Sequence, residues 1–290
     1  MFFNLYNNNN NNNNNNILLI VMINNYIIII IIIFIIINSE YIYIYIKDLI
    51  FFIKRLFLYK FQYNNNFIEN YLDKNFNDIK ILITSFDNRI NLKYLKYHNN
   101  NIEKYCRKWK NVNYFFTNEC DTNMYWCKLY LIREKLQTNN YDYVMWMDTD
   151  AVIINDKISL QKLVNSYSSD IFISNDTYYK IHKTNILCAG VFIIKNSDIG
   201  KKFIDECIYT WENSKCFKNE KIQGIYAQLC YEQGTMNYLI YEKYIKYTTI
   251  LEPKIFRNSF ICNKNSFILH NYGVSEKQIE KCFNSIDEIN

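Results

Sequence analysis

The apolar run Tyr141-Asp142-Tyr143-Val144-Met145-Trp146-Met147 constrains this chain more than any other segment, because of how it ends. It closes in Asp148-Thr149-Asp150, and the chain turns apolar again at once with Ala151-Val152-Ile153-Ile154. Two carboxylates one residue apart are therefore delivered to the exit of a buried strand. Alternation in a strand sends residues i and i+2 to one side, about 7 Å apart at Cα. That spacing lets both acids reach one cation, and the ion they favour is hard and oxygen-liganded, Mn²⁺ or Mg²⁺. A phosphate-bearing ligand would bind through it. Asp-rich turns at strand ends are common, so the motif draws its weight from the aromatic-rich strand before it.

From Asp78 onward the chain reads as alternating strands and helices. Lys80 to Phe86, Val112 to Phe116, Asp170 to Ser174 and Gly190 to Ile194 are short apolar strands. Asn91 to Lys110 reads as a helix. Tyr125, Leu129, Ile132 and Leu136 fall on one helical face, as do Ile204, Cys207, Ile208 and Trp211. This order predicts an α/β fold with a mostly parallel sheet flanked by helices, its ligands bound beyond the carboxyl ends of the strands. Thr84-Ser85-Phe86, Asp148/Asp150 and Asn175-Asp176 all fall at such ends. No glycine-rich phosphate loop is present, so side chains and a metal would have to hold phosphate.

The N-terminal third is of a different kind. Residues 1–16 carry an unbroken Asn tract with no means of building a core and read as a disordered tail. Residues 17–37 contain no charge and are long enough to span a bilayer as one helix. The stretch lacks the basic start and small-residue cleavage site of a signal peptide. AT-rich codon usage would also produce such Asn and Ile tracts, yet so apolar a run needs burial whatever its origin. Residues 38–77 read as a stem or interfacial linker, and 78–290 as the globular domain. No Lys or Arg precedes the span while Lys47, Lys54, Arg55 and Lys60 follow it, which places the large domain on the cytoplasmic side of the membrane.

The net charge of +5 is spread without a basic block, which argues against a nucleic-acid partner. Nine cysteines between Cys106 and Cys282 show neither a Cys-x-x-Cys nor a zinc spacing. They read as buried small hydrophobes rather than a disulfide frame. Among three histidines, His98 and His182 have no motif, while His270 follows the apolar strand Ser266-Phe267-Ile268-Leu269. Large rings at strand or helix spacing are core far more often than ligand platforms, so Trp146 and Trp211 are expected to pack.

Several blocks, in order, resemble the GT-A-fold galactosyl-, mannosyl- and xylosyltransferases of the yeast and plant Golgi type. They are Tyr105-Cys106-Arg107-Lys108-Trp109, Trp126-Cys127-Lys128 and Trp146 to Ala151, followed by Ala189 to Ser197, Glu232-Gln233-Gly234-Thr235-Met236 and His270-Asn271-Tyr272-Gly273. The resemblance covers roughly residues 78 to 275. It implies a GT-A-like fold, a donor that is a nucleotide diphosphate sugar, a glycan or glycoprotein acceptor, and transfer with retention of configuration. It also implies an endomembrane location, at odds with the charge distribution around the apolar span.

By this resemblance Asp148 contacts the metal or donor ribose, Asp150 ligates the metal, and His270 is the third protein ligand. Thr84, Phe86, Lys128, Gly190, Gly273 and Lys277 fall at positions that bind the donor. Gln233 would position the sugar, Asp176 would contact a donor hydroxyl, and Glu232 is either catalytic or a helix N-terminal carboxylate favoured by the macrodipole. Two departures stand out. Cys188 occupies a position where the family commonly has Asn, and Val274-Ser275-Glu276-Lys277 replaces a usual Cys and diphosphate-binding Lys. The alternative is a catalytically silent nucleotide- or glycan-binding membrane protein with the same fold.

Overall fold

The computed structural model describes residues 76–176, 186–214, 217–218, 221–222, 229–262 and 264–287. The Asn-rich tail, the apolar span 17–37, nearly all of the stem and His182 lie outside the described residues. Among those described, no helix is long and apolar enough to cross a membrane.

Six strands form the main sheet: β1 (Ile81–Phe86), β2 (Val112–Thr117), β3 (Tyr143–Met147), β5 (Ile171–Asn175), β6 (Leu187–Lys195) and β7 (Thr248–Leu251). Their order is β2-β1-β3-β6-β5-β7. The β1–β2, β1–β3 and β5–β7 pairs are parallel, and β6 runs antiparallel to both of its neighbours. The sheet is thus mainly parallel with one reversed strand. A smaller sheet pairs β8 (Phe256–Asn258), β9 (Ile268–His270) and β4 (Ala151–Ile153), with β8–β9 parallel and β9–β4 antiparallel.

Strand alternation sorts the core. Val144 and Trp146 of β3 pack on one face with Leu129, Ile132 and Leu136 of helix α2 (Cys127–Gln137) and with Phe203, Ile204 and Cys207 of α4 (Asp198–Glu212). Tyr143, Met145 and Met147 of the same strand point the other way. They meet Ile102 and Tyr105 of α1 (Lys93–Lys108) and Leu160 and Leu163 of α3 (Leu160–Asn165). Trp146 is buried, and Trp211 stacks on buried Trp126 at 4.6 Å between ring centres, so the aromatic pattern is packing. Side-chain caps set helix starts: Ser197 accepts from Gly200 N–H, and Ser159 from Lys162 N–H. The short helix α5 (Glu232–Leu239) is tied to β6 by Gln233 Oε1, which accepts from Ala189 N–H, and by Asn237, which bonds both backbone groups of Leu187.

The cysteine expectation is overturned. Disulfides join Cys120 to Cys127 and Cys262 to Cys282, and Cys230 is also disulfide-bonded. Among the described residues, only Cys188 and Cys207 fit the reading as free buried hydrophobes, with Cys106 free and half-buried. Pairs 7 and 20 residues apart follow no metal or redox spacing, because the fold rather than the sequence brings them together. The Cys262–Cys282 bridge fastens the loop after β8 to α6 (Glu276–Asp287), which packs through Ile279, Phe283 and Ile286 against Val152 and Leu269.

Candidate active site

Strand register assembles the central cluster. At the exit of β3 the Asp148 N–H donates to Gly190 O (2.8 Å), and the turn is closed by Ala151 N–H to Asp148 O (2.9 Å). Strand β4 then begins and pairs with β9 so that Ala151 lies opposite His270. Asn271 N–H closes the junction on Asp150 O (2.9 Å). His270 Nε2 consequently lies 3.1 Å from Asp150 Oδ1 and 3.6 Å from Asp148 Oδ2. One ligand atom from each of the three residues falls within 4.8 Å of the other two.

The parallel β8–β9 pair sets Asn258 beside His270, and Asn258 fixes the ring. Its Nδ2 donates to Ser174 Oγ (2.6 Å) and Asn175 O (3.1 Å), which leaves Oδ1 facing His270 Nδ1 at 3.0 Å. Oδ1 only accepts, so Nδ1 holds a proton and Nε2 is turned to the carboxylates. Burial disfavours charge on this imidazole, yet the adjoining Asp150 carboxylate overrides it and raises its proton affinity well above the ordinary value. Asp150 Oδ1, although close to Nε2, is buried without a well-directed hydrogen bond. Two carboxylates and an imidazole nitrogen, with one buried oxygen unsatisfied, fit a metal cation, which would displace the proton. Gly190 makes room: a Cβ there would lie 1.9 Å from His270 Cε1.

A second cluster shares Asp148. Lys128, buried in the first turn of α2, places Nζ 3.1 Å from Asp148 Oδ1, 3.1 Å from Glu232 Oε1 and 3.2 Å from Ala189 O. Trp146 Nε1 also donates to Asp148 Oδ1 (2.5 Å). Burial pushes the Glu232 carboxyl above its ordinary pKa against the pull of Lys128, and its Oε2 is buried with no hydrogen-bond partner among the described residues. Both carboxylates therefore need Lys128, which is more than a surface lysine.

Two further contacts are absent from the sequence reading. Buried Asp87, just past β1, accepts from Thr149 Oγ1 (2.6 Å), the middle residue of Asp-Thr-Asp, and from Arg89 N, Nε and Nη2, each at 2.9 Å. Those bonds hold its carboxyl below the ordinary range in spite of burial. His98 of α1 is fully buried, with Nδ1 2.8 Å from Ala151 O and Nε2 2.9 Å from Ser85 Oγ. Burial lowers its pKa to about 4, so the ring is neutral. Three residues on, Asn101 bonds both backbone groups of Ile153. Helix α1 thus pins the backbone that leaves the Asp pair. His98 was detectable, because Tyr94, His98, Ile102 and Tyr105 repeat at helical spacing on the buried face.

A cavity of about 250 Å³ opens beside these groups, lined among others by Phe86, Arg89, Tyr125, Lys128, Asp148 and Glu232. Other residues singled out in the sequence do not line it. The Thr84 hydroxyl is buried and donates to Met145 O (2.9 Å). Asp176 is buried, accepts from Tyr272 OH and pairs with Asn258. Lys277 is exposed on α6. Gly273 has φ of +70°, a conformation that favours glycine, with no atom near its missing Cβ.

Comparison with solved structures gives a glycosyltransferase involved in glycosylation of the major capsid of PBCV-1, at 12% identity. The similarity covers 71% of this chain and 99% of that one with a TM-score of 0.54. Another similar structure is the glycosyltransferase GlyE of Streptococcus pneumoniae TIGR4, at 11% identity, 73% and 63% coverage and a TM-score of 0.43. Curated protein sequences give no match. Residues 78–278 match the sequence profile of the nucleotide-diphospho-sugar transferases, which takes in both the Asp pair and His270. The chain belongs to that family and is a glycosyltransferase.

Proposed function

We propose that the protein transfers a hexose or pentose from a nucleotide diphosphate sugar to a glycan or glycoprotein acceptor, with retention, as the yeast and plant Golgi-type enzymes it resembles do. The observation that carries this reading is the convergence of Asp148, Asp150 and His270 on a nucleotide-sugar transferase fold, with both carboxylates lining a cavity. These three residues would hold Mn²⁺ or Mg²⁺, which when bound stabilises the charge that builds on the departing diphosphate. Lys128 fixes Asp148 in place and keeps Glu232 paired. Glu232 Oε2 is the carboxyl oxygen available to a sugar hydroxyl or to developing positive charge at the anomeric carbon. Gln233 has its Oε1 committed to Ala189, so its Nε2 would meet the sugar. Thr84 and Asp176 would act through the packing behind the site, and Gly190 and Gly273 through space and turn geometry. Phe86 would face the nucleotide, and Lys277, exposed on α6, is a further cation for the diphosphate.

The disulfides favour an oxidising compartment for this domain, in agreement with an endomembrane lumen and against the cytoplasmic side suggested by the charges flanking residues 17–37. The test of the function is hydrolysis and transfer with a panel of UDP- and GDP-sugars, in Mn²⁺ and in EDTA. Metal-dependent turnover of one donor supports the proposal. Metal-dependent nucleotide binding with no turnover on any donor or acceptor supports the silent module, and no binding at all sinks both.

A further inference from the structure

The cleft holds an imbalance of charge that the roles above leave unresolved. Among the described residues, Asp87, Asp148, Asp150 and Glu232 line it, against two cations, Arg89 and Lys128. Lys128 is fully engaged: its side chain is only 9% exposed, and its ammonium is shared among Asp148, Glu232 and Ala189 O. Arg89 is the opposite case, with a side chain 62% exposed beside a partner, Asp87, that is 4% exposed. Long exposed cations ordinarily give up rotamer freedom reluctantly. Here the guanidinium is clamped along one edge by Nε and Nη2 to the two Asp87 oxygens, and Nη2 also lies 3.4 Å from Tyr94 OH. Asp87 is in turn fixed by Thr149, between the two site aspartates. The fork is therefore pre-oriented at the wall of the cleft, with Nη1 making no hydrogen bond to a described residue.

We infer that Arg89 is a binding residue for the donor's diphosphate, offering the Nη1 edge of a guanidinium held in place by Asp87 and Thr149. This rests on the nucleotide-sugar reading and extends it to a residue outside the set predicted from sequence. A diphosphate entering a cleft with four carboxylates needs more positive charge than one divalent ion supplies, and among the described lining residues Arg89 is the cation with an accessible edge. A planar donor fork suits phosphate oxygens better than a mobile ammonium does. The Asp87–Thr149 link also means that seating the diphosphate on Arg89 acts on the same turn that presents Asp148 and Asp150.

Calorimetric titration of the full-length protein in saturating Mn²⁺, with UDP and GDP against UMP and GMP, tests the inference in wild type and Arg89→Ala. One charge-assisted hydrogen bond lost should weaken the preferred diphosphate about ten- to a hundredfold, with much less effect on the matching monophosphate. Arg89→Lys, which keeps a cation beside Asp87 but loses the fork, should fall between. Equal affinity of wild type and Arg89→Ala for the diphosphate overturns the inference. So does an equal loss for mono- and diphosphate, which would mark Arg89 as a loop support only. A wild-type protein that binds no nucleotide would bring down the sugar-transfer reading itself and this inference with it.

Discussion

Gly190→Ala tests how the site is built, because the replaced hydrogen faces the His270 ring. The new Cβ would stand 1.9 Å from Cε1, 2.2 Å from Nδ1 and 2.5 Å from Nε2. Non-bonded carbons rest about 3.5–4.0 Å apart, so the ring must retreat by roughly 1.5 Å or more. It is hemmed in by Asn258 at 3.0 Å on one side and Asp150 at 3.1 Å on the other, and neither contact survives that displacement. Overpacking costs about 1–3 kcal/mol, and the lost buried hydrogen bond adds about 1 kcal/mol, for a total of about 2–4 kcal/mol. For a domain of this size that lowers Tm by about 4–16 °C. The discriminating readout is the further rise in Tm on adding Mn²⁺, worth about 2.7 kcal/mol of stability at a hundredfold excess over Kd. Wild type should show this rise and Gly190→Ala should lose it. Gly273→Ala, strained only by its φ of +70°, should cost about 1–2 kcal/mol and keep it. A Gly190→Ala protein with wild-type Tm and an intact Mn²⁺ response would refute the packing argument.

Three more outcomes are expected. His98 has a folded pKa of about 4, below its ordinary 6.5, so its contribution is full above pH 6.5 and is lost as pH falls toward 4. Urea unfolding at pH 7 and pH 4.5 should show wild type losing about 2–3 kcal/mol more than His98→Gln over that interval; an identical loss would contradict a neutral buried ring. Lys128→Met strands two carboxylates and should cost about 3–5 kcal/mol, with part of the loss recovered by adding Glu232→Gln; a single variant as stable as wild type in thermal unfolding would refute the shared pairing. Cys262→Ser with Cys282→Ser should cost about 2–4 kcal/mol, and an unchanged urea midpoint would show that the bridge contributes nothing.

The alternation of β3 is readable directly in Val144-Met145-Trp146-Met147, since each side of a buried strand needs its own apolar residues. His270 was legible because an apolar strand delivers it. Asn258 was not: its hold on His270 depends on two strands separated by a loop lying parallel in one particular register. The Asp87–Arg89–Thr149 network was hidden for the same reason, as Thr149 and Asp87 meet only because β1 and β3 are parallel neighbours with their ends level. The cysteine pairs carried no spacing signal, so nothing short of the fold distinguishes bonded Cys127 from free Cys207. Gln233 and Asn237, four apart, show how one stripe serves two ends, since both tie α5 to β6 and Gln233 also stands next to Glu232.

The central claim is that Asp148, Asp150 and His270 form one divalent-cation site. Titration of Mn²⁺ followed by electron paramagnetic resonance, with UDP or GDP present, addresses it most directly. Wild type should show one protein-dependent Mn²⁺ site, and Asp150→Asn combined with His270→Ala should abolish it while circular dichroism shows the fold intact. A double variant that binds Mn²⁺ with wild-type stoichiometry and affinity would contradict the account.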